Sequence, residues 1–318
     1  MTLLVKPLKR QPKNLLIWNE DDAMSRHTPV MAQEVVEYLK LSPGMVIVDC
    51  TVGEGGHSEG ILRKITPGGH LIGIDQDDDA LSITRLRLSQ HEGSFTLVQN
   101  NFQNIRDVIA AVGRDAMDGV VFDLGVSMMQ LGSPERGFSF QADGPLNMRM
   151  DKKAQITAFD LVNNLSEEEI ANIIYRFGEE RFSRRIAAAI VSERSKHAIA
   201  TTQQLAGIVV DAMPHHERFK RIHPATRTFM ALRIAVNREL EVLQTGLSEA
   251  IDLLKSGGRI CVISFHSLED RIVKNEFKSQ ARNGRLRIIT KKPLIPTDAE
   301  MESNRKSRSA KLRVAEKI

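Results

Sequence analysis

The chain contains little cysteine and few large aromatic side chains. Its 318 residues include two cysteines, Cys50 and Cys261, with one tryptophan and two tyrosines. Two thiols are too few for a disulfide framework or a four-thiolate zinc site, and both lie within apolar runs. We therefore expect buried free thiols in a reducing cytoplasm. The scarcity of tryptophan and tyrosine argues against an extensive aromatic platform for stacked bases.

The sequence also lacks long apolar segments. No window approaches the ~18 consecutive apolar residues that a membrane helix requires, and the first residues lack the apolar run and cleavage site of a secretory signal. Hydrophobic residues still make up 42% of the chain and charged residues 26%, which is the composition of a folded protein with a core. These features predict a cytoplasmic protein of roughly two domains with no membrane partner.

Positive charge is concentrated near the C-terminal end. The whole chain carries 44 basic and 40 acidic side chains, for a net charge of +4. Residues 271–318 hold 14 basic and 5 acidic side chains, a net of +9, whereas the other 270 residues have a net of −5. A basic tail on an acidic body indicates a polyanionic partner such as nucleic acid, with a purely solubilising tail as the alternative. Within the tail, residues 301–311 have the composition of a segment that is disordered until it binds.

Short apolar runs alternate with helix-like segments in the first 123 residues. Runs of strand length, bounded by Gly, Pro, Asp or Asn, occur at Met45–Val48, Leu71–Ile74, Phe95–Val98 and Val120–Phe122. Helix-like stretches lie between them at Ser58–Ile65, Ala80–Leu88 and Ile105–Val112. This alternation predicts a parallel sheet with helices on both faces.

A long helical insertion interrupts the alternation after Asp123. More than 130 residues precede the next strong strand, Ile260–Phe265. Ser166 with Glu169, and Thr201 with Gln204, fit capping boxes, and each is followed by apolar residues at helical spacing. A single helix from Phe229 to Leu254, ended by Gly257 and Gly258, is then expected to return to the sheet. The last predicted strands are Leu286–Ile289 and Leu312–Ala315.

The turn after the first strand has the features of a nucleoside-binding loop. It reads Asp49-Cys50-Thr51-Val52-Gly53-Glu54-Gly55-Gly56-His57. Glycines allow a ligand to approach the backbone, and the N-terminus of the following helix offers free N–H groups. Asp75 ends the second strand, 22 residues after Gly53, where a carboxylate accepts hydrogen bonds from a ribose diol.

Two residues of this loop decide between nucleoside cofactors. Ser58 occupies the third glycine position of a G-x-G-x-x-G fingerprint, and Glu54 lies where a pyrophosphate would approach. Both count against NAD. S-adenosylmethionine has no phosphate and carries a sulfonium cation, so the nearby carboxylates suit it. The loop therefore favours a methyltransferase, with an NAD-dependent dehydrogenase as the alternative.

Three further residues follow predicted strands and are expected at the same crevice. Phe102 is a candidate to stack on the adenine, with a core phenylalanine as the alternative. Asp123 is placed to contact both cofactor and acceptor, or else only caps its loop. Ser264–His266 are candidates for the floor of the acceptor pocket. His266 is a weak candidate proton carrier, and a hydrogen-bonded structural histidine is the alternative.

Eight sequence motifs occur together in a fixed order from residue 27 onward. They are HTPV at 27–30, VGEGGHS at 52–58, DLGVS at 123–127, ERGFSF at 135–140, DGPLNMRM at 143–150, GEERFSRRIA at 178–187, HPATRTFMALRIAVN at 223–237 and SFHSLEDRIVK at 264–274. This set resembles the bacterial MraW/RsmH family, the small-subunit (16S) ribosomal RNA cytosine-N4 methyltransferases. Members commonly have Ser and then Pro after DLGVS, where this chain has Met128 and Met129.

The resemblance implies a Rossmann-like α/β methyltransferase with a mostly parallel seven-stranded sheet and an inserted helical domain. It divides the chain into a leader at 1–26, a discontinuous methyltransferase domain at 27–135 and 226–318, and a helical substrate-recognition domain at 136–225. S-adenosylmethionine is implied as the methyl donor. The implied cofactor contacts are Gly55, Gly56, His57, Asp75, Phe102, Asp123 and Gln130.

The implied acceptor is the exocyclic N4 amine of a cytidine near the ribosomal decoding site. Asp123 is the catalytic candidate at this reaction centre, and no metal is required. The small ribosomal subunit and its RNA are the implied partners, while the oligomeric state is left open. Some inserted-domain arginines are expected to contact phosphates and others to form ion pairs: Arg136, Arg149, Arg176, Arg181, Arg184 and Arg185. A non-catalytic RNA-binding or assembly factor that retains a nucleoside pocket is the remaining alternative.

Overall fold

The computed structural model describes residues 29–219 and 222–318. The predicted leader at 1–26 lies outside the described residues. Within them, seven strands form one sheet: β1 Val46–Asp49, β2 His70–Asp75, β3 Phe95–Gln99, β4 Met117–Asp123, β5 Leu254–Ser264, β6 Leu286–Ile288 and β7 Lys311–Lys317. The spatial order is β3-β2-β1-β4-β5-β7-β6, with β1 to β5 parallel and β7 antiparallel to both of its neighbours. The predicted α/β, Rossmann-like fold with a mostly parallel seven-stranded sheet is confirmed.

Fourteen α-helices accompany the sheet in the described part of the chain. They are α1 Ala32–Leu39, α2 Gly56–Ile65, α3 Asp78–Arg87, α4 Ile105–Ala111, α5 Met128–Gly132, α6 Ala158–Asn164, α7 Glu167–Gly178, α8 Ser183–Arg194, α9 Thr202–Ala212, α10 His215–Arg218, α11 Ala225–Asn237, α12 Glu239–Leu253, α13 Ser267–Arg282 and α14 Asp298–Ser303. Six of the seven predicted strands and the three predicted helices between the first four strands are confirmed to within three residues, whereas β5 begins six residues before its predicted start at Ile260. None of the helices in the described ranges is both long and apolar enough to span a bilayer.

The central strands are buried on both faces. Successive side chains of β1 point to opposite sides, so Ile47 joins the core beneath α1 and α2 while Val48 joins the core beneath α4, α12 and α13. Val120 and Val121 of β4 divide in the same way. Continuous apolar runs are therefore required, because neither face of the sheet meets water.

The helices inserted between β4 and β5 have a hydrophobic core of their own. Ile170 and Ile174 of α7 pack there with Leu205 and Val209 of α9. Both predicted capping boxes are confirmed at the first residues of these helices, since each cap side chain and its partner three residues later exchange hydrogen bonds with the backbone.

The prediction of one helix from Phe229 to Leu254 is wrong. Arg238 adopts a left-handed conformation (φ 50°, ψ 36°), which separates α11 from α12. Phe229 and Leu232 pack in the helical core, whereas Leu243 and Leu247 pack against the sheet. Because of this break, apolar residues with one continuous helical spacing pack into two different cores. The core of the helical insertion therefore includes residues of α11 beyond position 226, and the domain division at that position stays a prediction.

Gly257 and Gly258 do not end this helix, contrary to prediction. Helix α12 stops at Leu253, because Leu254 is already extended and pairs with Met117 of β4. Gly257 (φ 79°) lies in the following stretch of β5, where the pairing register shifts between Met117 and Gly119. A residue without a Cβ is suited to such a bulge as well as to a helix end.

Candidate active site

A cleft opens at the carboxyl ends of β1, β2 and β4. From β1 the chain continues to β2 on one side of the sheet, and from β4 it continues into the helical insertion and β5 on the other side. A crevice forms between these two connections. The cavity has a volume of about 490 Å³, which is in the range of small-molecule sites. Its wall contains six of the seven predicted cofactor contacts, namely Gly56, His57, Asp75, Phe102, Asp123 and Gln130.

The glycine loop between β1 and α2 is held in a compact form. Gly53 (φ 50°) and Gly55 (φ 79°) are both left-handed, a conformation that other residues rarely adopt. Thr84 of α3 donates a hydrogen bond to the Gly53 carbonyl at 2.7 Å. A Cβ on Gly55 would lie 3.0 Å from Thr84, so Gly55 faces α3 while Gly56 lines the cleft. Helix α2 begins at Gly56, and its first N–H groups lie beside the cavity.

Asp49 fixes the start of this loop from beneath. Its buried carboxylate accepts hydrogen bonds from the Ser58 hydroxyl at 2.7 Å and from the Thr51 N–H at 3.2 Å. Burial raises the pKa of Asp49, against the opposing influence of His57 and of these donors. Ser58, the residue that departs from the dinucleotide fingerprint, is thus a buried hydrogen-bond donor to a buried carboxylate.

Asp75 is positioned at the cleft by two backbone hydrogen bonds. Its Oδ2 accepts from the Gly53 N–H and its Oδ1 from the Asp77 N–H, both at 2.9 Å. Each oxygen keeps further lone-pair capacity on the side of the cavity. Burial raises the pKa of Asp75 to about 6, although both backbone donors act in the opposite direction. The carboxylate is therefore oriented as an acceptor pair for a diol.

The side chains of Asp123 and His57 lie close to each other beside the glycine loop. The His57 Nε2 lies 3.5 Å from the Asp123 Oδ2, and the Asp123 N–H donates to the Thr51 hydroxyl at 2.6 Å. Burial lowers the pKa of His57, but the carboxylates of Asp123 and Asp49 outweigh it, and the pKa is raised. Asp123 Oδ1 is buried and has no hydrogen-bond partner among the described residues. One carboxylate oxygen of this cleft-lining residue therefore lacks a protein donor.

Phe102 lines the cleft and also packs against the core, and its stacking on an adenine stays a prediction. Its ring meets Phe122 edge-on with the centroids 5.4 Å apart, and it lines the cavity. A Cβ on Gly246 of α12 would lie 2.6 Å from Phe102 Cδ2. The role of Gly246 was not predicted from the sequence, because a glycine in a helix interior does not indicate which side chain will pack against it.

Gln130 and Arg136 are held by the acid Asp77 behind the cleft. The Gln130 side chain accepts from the Ser127 N–H at 3.1 Å and donates to Asp77 at 2.8 Å. Arg136 is buried, lies 2.7 Å from Asp77, and donates to the carbonyls of Arg149 and Met150. Of the two roles expected for the inserted-domain arginines, Arg136 therefore has the ion pair, because its guanidinium is bonded inside the protein. Arg149 is likewise bonded to Asn147 and the Ala154 carbonyl.

His266 caps helix α13 through Glu269. The Glu269 N–H donates to His266 Nδ1 at 3.4 Å, and the Phe265 and His266 N–H groups donate to the Glu269 carboxylate at 2.8 and 3.3 Å. His266 Nε2 lies 3.2 Å from the other oxygen of Glu269. Burial raises the pKa of Glu269, but the hydrogen bond and charge of His266 and the charge of Arg233 outweigh it, so the pKa is lowered. These contacts favour the structural alternative for His266.

Two groups of residues at the cleft were not identified from sequence. Arg233 and Glu239 form a two-pronged ion pair, with both nitrogen–oxygen distances at 2.8 Å. Asn237 joins α11 to the loop at residues 148–150, accepting from the Met150 N–H and donating to the Met148 carbonyl. The second group is the segment after α14, which contributes Asn304, Arg305, Lys306 and Ser309. The motif at 223–237 contains Arg233 and Asn237 but not Glu239, and nothing local indicates the second group.

Within residues 29–219 and 222–318, two clusters bring acidic or histidine side chains close enough for a metal ion. One is Glu239, His266 and Glu269, and the other is Asp77, Asp78 and Asp79. The protein's own donors and cations already engage both, since Arg233 pairs with Glu239, and Arg136 and Lys152 pair with the aspartates. We assign neither cluster to a metal.

Comparisons with known proteins identify the family of the chain. The model of the MraW methylase family matches residues 24–318. A ribosomal RNA small subunit methyltransferase H of Persephonella marina is 50% identical, with 93% of this chain and all of that protein covered. Proteins of the same name from Carboxydothermus hydrogenoformans and Brevibacillus brevis are 48% and 46% identical, each covering 92% of this chain and 98% of their own length. The chain belongs to the MraW methylase family.

Proposed function

We propose that this protein transfers a methyl group from S-adenosylmethionine to the N4 amine of a cytidine in small-subunit ribosomal RNA, near the decoding site. The relatives named above carry the name of a small-subunit ribosomal RNA methyltransferase. The observation that carries the proposal is Asp123, which lines the same cleft as Asp75 and whose buried Oδ1 has no protein donor in the described residues. The donor supplies a methyl group already activated by a positive sulfur.

The residues of the cleft fit such a donor. Asp75 offers two oriented acceptors for a ribose diol, and Phe102 offers an aromatic ring beside them. Glu54 and Asp123 place negative charge near the glycine loop, which suits a sulfonium and an ammonium and disfavours a pyrophosphate. Buried Ser58 donates to Asp49 where a dinucleotide fold has its third glycine. These features support S-adenosylmethionine over the NAD-dependent alternative.

Asp123 acts, in this proposal, on the acceptor amine. The lone pair of an exocyclic cytosine amine is delocalised into the ring, so the amine is a poor nucleophile. A carboxylate that accepts its hydrogen bond draws the nitrogen toward a tetrahedral geometry and stabilises the charge that develops. Alignment of amine, methyl carbon and sulfur supplies on the order of 7–11 kcal/mol of the remaining barrier reduction. The base is splayed from its stack at a cost of a few kcal/mol.

Exposed arginines and lysines supply the proposed RNA contacts. Those without a carboxylate within 4.0 Å in the described ranges include three from the inserted helices and four from the basic tail: Arg176, Arg184, Arg185, Lys278, Arg282, Lys291 and Lys292. Other basic residues are paired within the protein, such as Arg181 with Glu217 and Arg313 with Asp270. The net charge of the tail therefore overstates the charge that is free for phosphate.

The test is transfer of labelled methyl to small ribosomal subunits from cells that lack this protein, followed by mapping of the modified base. We expect one modified cytidine and a loss of turnover of at least 100-fold in Asp123→Asn, which keeps the shape of the side chain. Asp115→Asn, an exposed change before β4, is the matched control and should transfer normally. Subunit binding with no methyl transfer would favour the non-catalytic assembly factor. Full turnover by Asp123→Asn would contradict the role of this carboxylate.

A further inference from the structure

The segment between α14 and β7 forms part of the cleft wall and is anchored at both ends. Glu300 Oε1 accepts the Met31 N–H at 2.7 Å, which ties α14 to the residue before α1. A 3-10 turn at Arg305–Ser309 follows, in which Ser307 is buried and donates to the Asn304 carbonyl at 2.8 Å. The expectation that residues 301–311 are disordered without a partner is not met, because these contacts and β7 hold the segment against the cavity.

Lys306 lies in this turn and lines the cleft with its half-buried side chain. In the described part of the chain, no carboxylate oxygen lies within 4.0 Å of its ammonium group, and no hydrogen bond from that group occurs. Burial lowers the pKa of Lys306 to about 8, and the charges of Asp123 and Glu54 only partly oppose this. Partial burial of a cation without a close partner is unfavourable, so this position is suited to an anion that arrives with a ligand.

The other basic groups of the cleft wall either lie beside an acid or are exposed, as Arg305 is. Arg87 donates to Glu59 at 2.8 Å and to the Glu54 carbonyl. Arg233 is held by Glu239, and His57 lies beside Asp123. Lys306 is therefore the half-buried cation of the described cleft wall that remains available to a ligand anion.

We propose that Lys306 binds the carboxylate of the amino-acid end of the methyl donor, and that the C-terminal segment is thus part of the donor site. This inference rests on the proposed function. An amino-acid end carries both charges, and Lys306 next to Asp123 and Glu54 matches that pattern. RNA phosphate is the less favoured anion, because Lys306 is half-buried whereas Arg305 and Arg308 of the same turn are exposed.

Calorimetric binding of two ligands separates these possibilities in the full-length protein. S-adenosylhomocysteine retains the amino-acid carboxylate, whereas 5′-methylthioadenosine has the same nucleoside and sulfur without it. We expect Lys306→Ala to weaken S-adenosylhomocysteine binding by about 10- to 100-fold, the range for a charge-assisted hydrogen bond, and to leave methylthioadenosine within about 2-fold. Arg308→Ala, an exposed change in the same turn, is the control and should alter neither affinity.

Two outcomes would overturn the inference. Equal losses for both ligands would mean that Lys306 only supports the fold of the segment. Unchanged S-adenosylhomocysteine affinity with weaker, less salt-dependent RNA binding would assign Lys306 to a phosphate. If the unaltered protein fails to bind S-adenosylhomocysteine at all, the proposed function fails as well, which distinguishes that result from a failure of Lys306 alone.

Discussion

At the residue scale, two acids of the cleft have pKa values shifted in opposite directions. Asp75 has burial with only backbone donors, so its pKa rises to about 6. Glu269 is also buried, but the imidazole of His266 and the guanidinium of Arg233 act against that burial, so its pKa falls. Two buried carboxyl groups of one cleft therefore have pKa values on opposite sides of their ordinary values, according to the hydrogen-bond donors and charged groups that pack beside them.

The pKa of Asp75 predicts a pH dependence of donor binding. The ionised carboxylate accepts two hydrogen bonds from a diol, and the protonated form accepts fewer. Affinity for S-adenosylhomocysteine should therefore be steady above about pH 7 and fall below about pH 6, by up to about tenfold per pH unit. The free protein should lose stability as pH rises from about 4 to 6, since the folded state holds this proton more tightly.

Calorimetry between pH 8 and pH 5 measures this effect. Asp75→Asn cannot ionise, so its weaker binding should not change over the same range. A wild-type affinity that is the same at pH 7.5 and pH 5 would exclude Asp75 as the titrating acceptor. Equal pH slopes in the wild type and Asp75→Asn would assign the titration to another group.

Gly246 predicts a linked loss of stability and donor affinity. A Cβ there would lie 2.6 Å from the Phe102 ring and 2.9 Å from the Phe102 carbonyl, so the ring must move. Gly246→Ala should cost about 1–3 kcal/mol of unfolding free energy and weaken donor binding, as measured by urea unfolding and calorimetry. Gly207→Ala in α9 is the control, since nothing lies within 4 Å of its new methyl group, and it should be neutral or stabilising by up to about 1 kcal/mol. Equal behaviour of the two variants would contradict the packing argument.

At the scale of elements, the ends of strands and helices were predictable to different extents. Period and capping chemistry are local, so the strands around Ile47 and Val120 and the boxes at Ser166 and Thr201 were identified from sequence. The break at Arg238 was not, because arginine has no preference for a left-handed conformation and only packing on two cores imposes it. The apolar period runs unbroken through the break.

The cap of α13 provides a prediction for an element. Glu269→Gln keeps the size of the side chain but removes the charge that pairs with His266 and Arg233, so it should cost about 1–3 kcal/mol at pH 7. The pKa of Glu269 is lowered in the folded state, so its stabilising effect is complete above about pH 4.5 and is lost as pH falls through the folded value. The difference between the two proteins should therefore shrink only below about pH 4.5.

Urea unfolding at a series of pH values checks this prediction. Glu302→Gln, an exposed change in α14, is the control and should stay within about 0.5 kcal/mol of the wild type. A Glu269→Gln protein with wild-type stability at pH 7 would show that the carboxylate charge is not needed for the cap. A difference that disappears already at pH 6 would point to another titrating group.

At the scale of the whole molecule, the basic charge that is free for a ligand differs from the charge counted along the sequence. The basic tail is partly neutralised by acids from elsewhere, including Arg285 by Asp252 and Arg271 by Glu179. The exposed guanidinium groups of Arg184 and Arg185 on α8 remain without ion pairs in the described ranges. Pairing of this kind joins residues far apart in sequence, so counting charges could not have separated the two groups.

The salt dependence of RNA binding tests the role of α8. Replacing Arg184 and Arg185 together with alanine should weaken binding to small-subunit RNA and reduce the slope of log K against log salt by about 0.7–0.9 per lost contact. Filter binding or fluorescence titration at several salt concentrations measures the slope. Arg106→Ala, an exposed arginine paired with Glu249, is the control and should leave the slope unchanged. An unchanged slope in the double variant would remove α8 from the RNA interface.

Sequence alone determined the alternating strands and helices, the glycine turn with its strand-end acid, and the family, because each of these depends on local periods, local turn chemistry or motif order. Only the tertiary structure decided the division between the cores at Arg238, the enclosure of Arg136 by Asp77, and the approach of Lys306 to the cleft. These depend on how distant segments pack. The local sequence around a residue does not indicate which distant residue will pack against it.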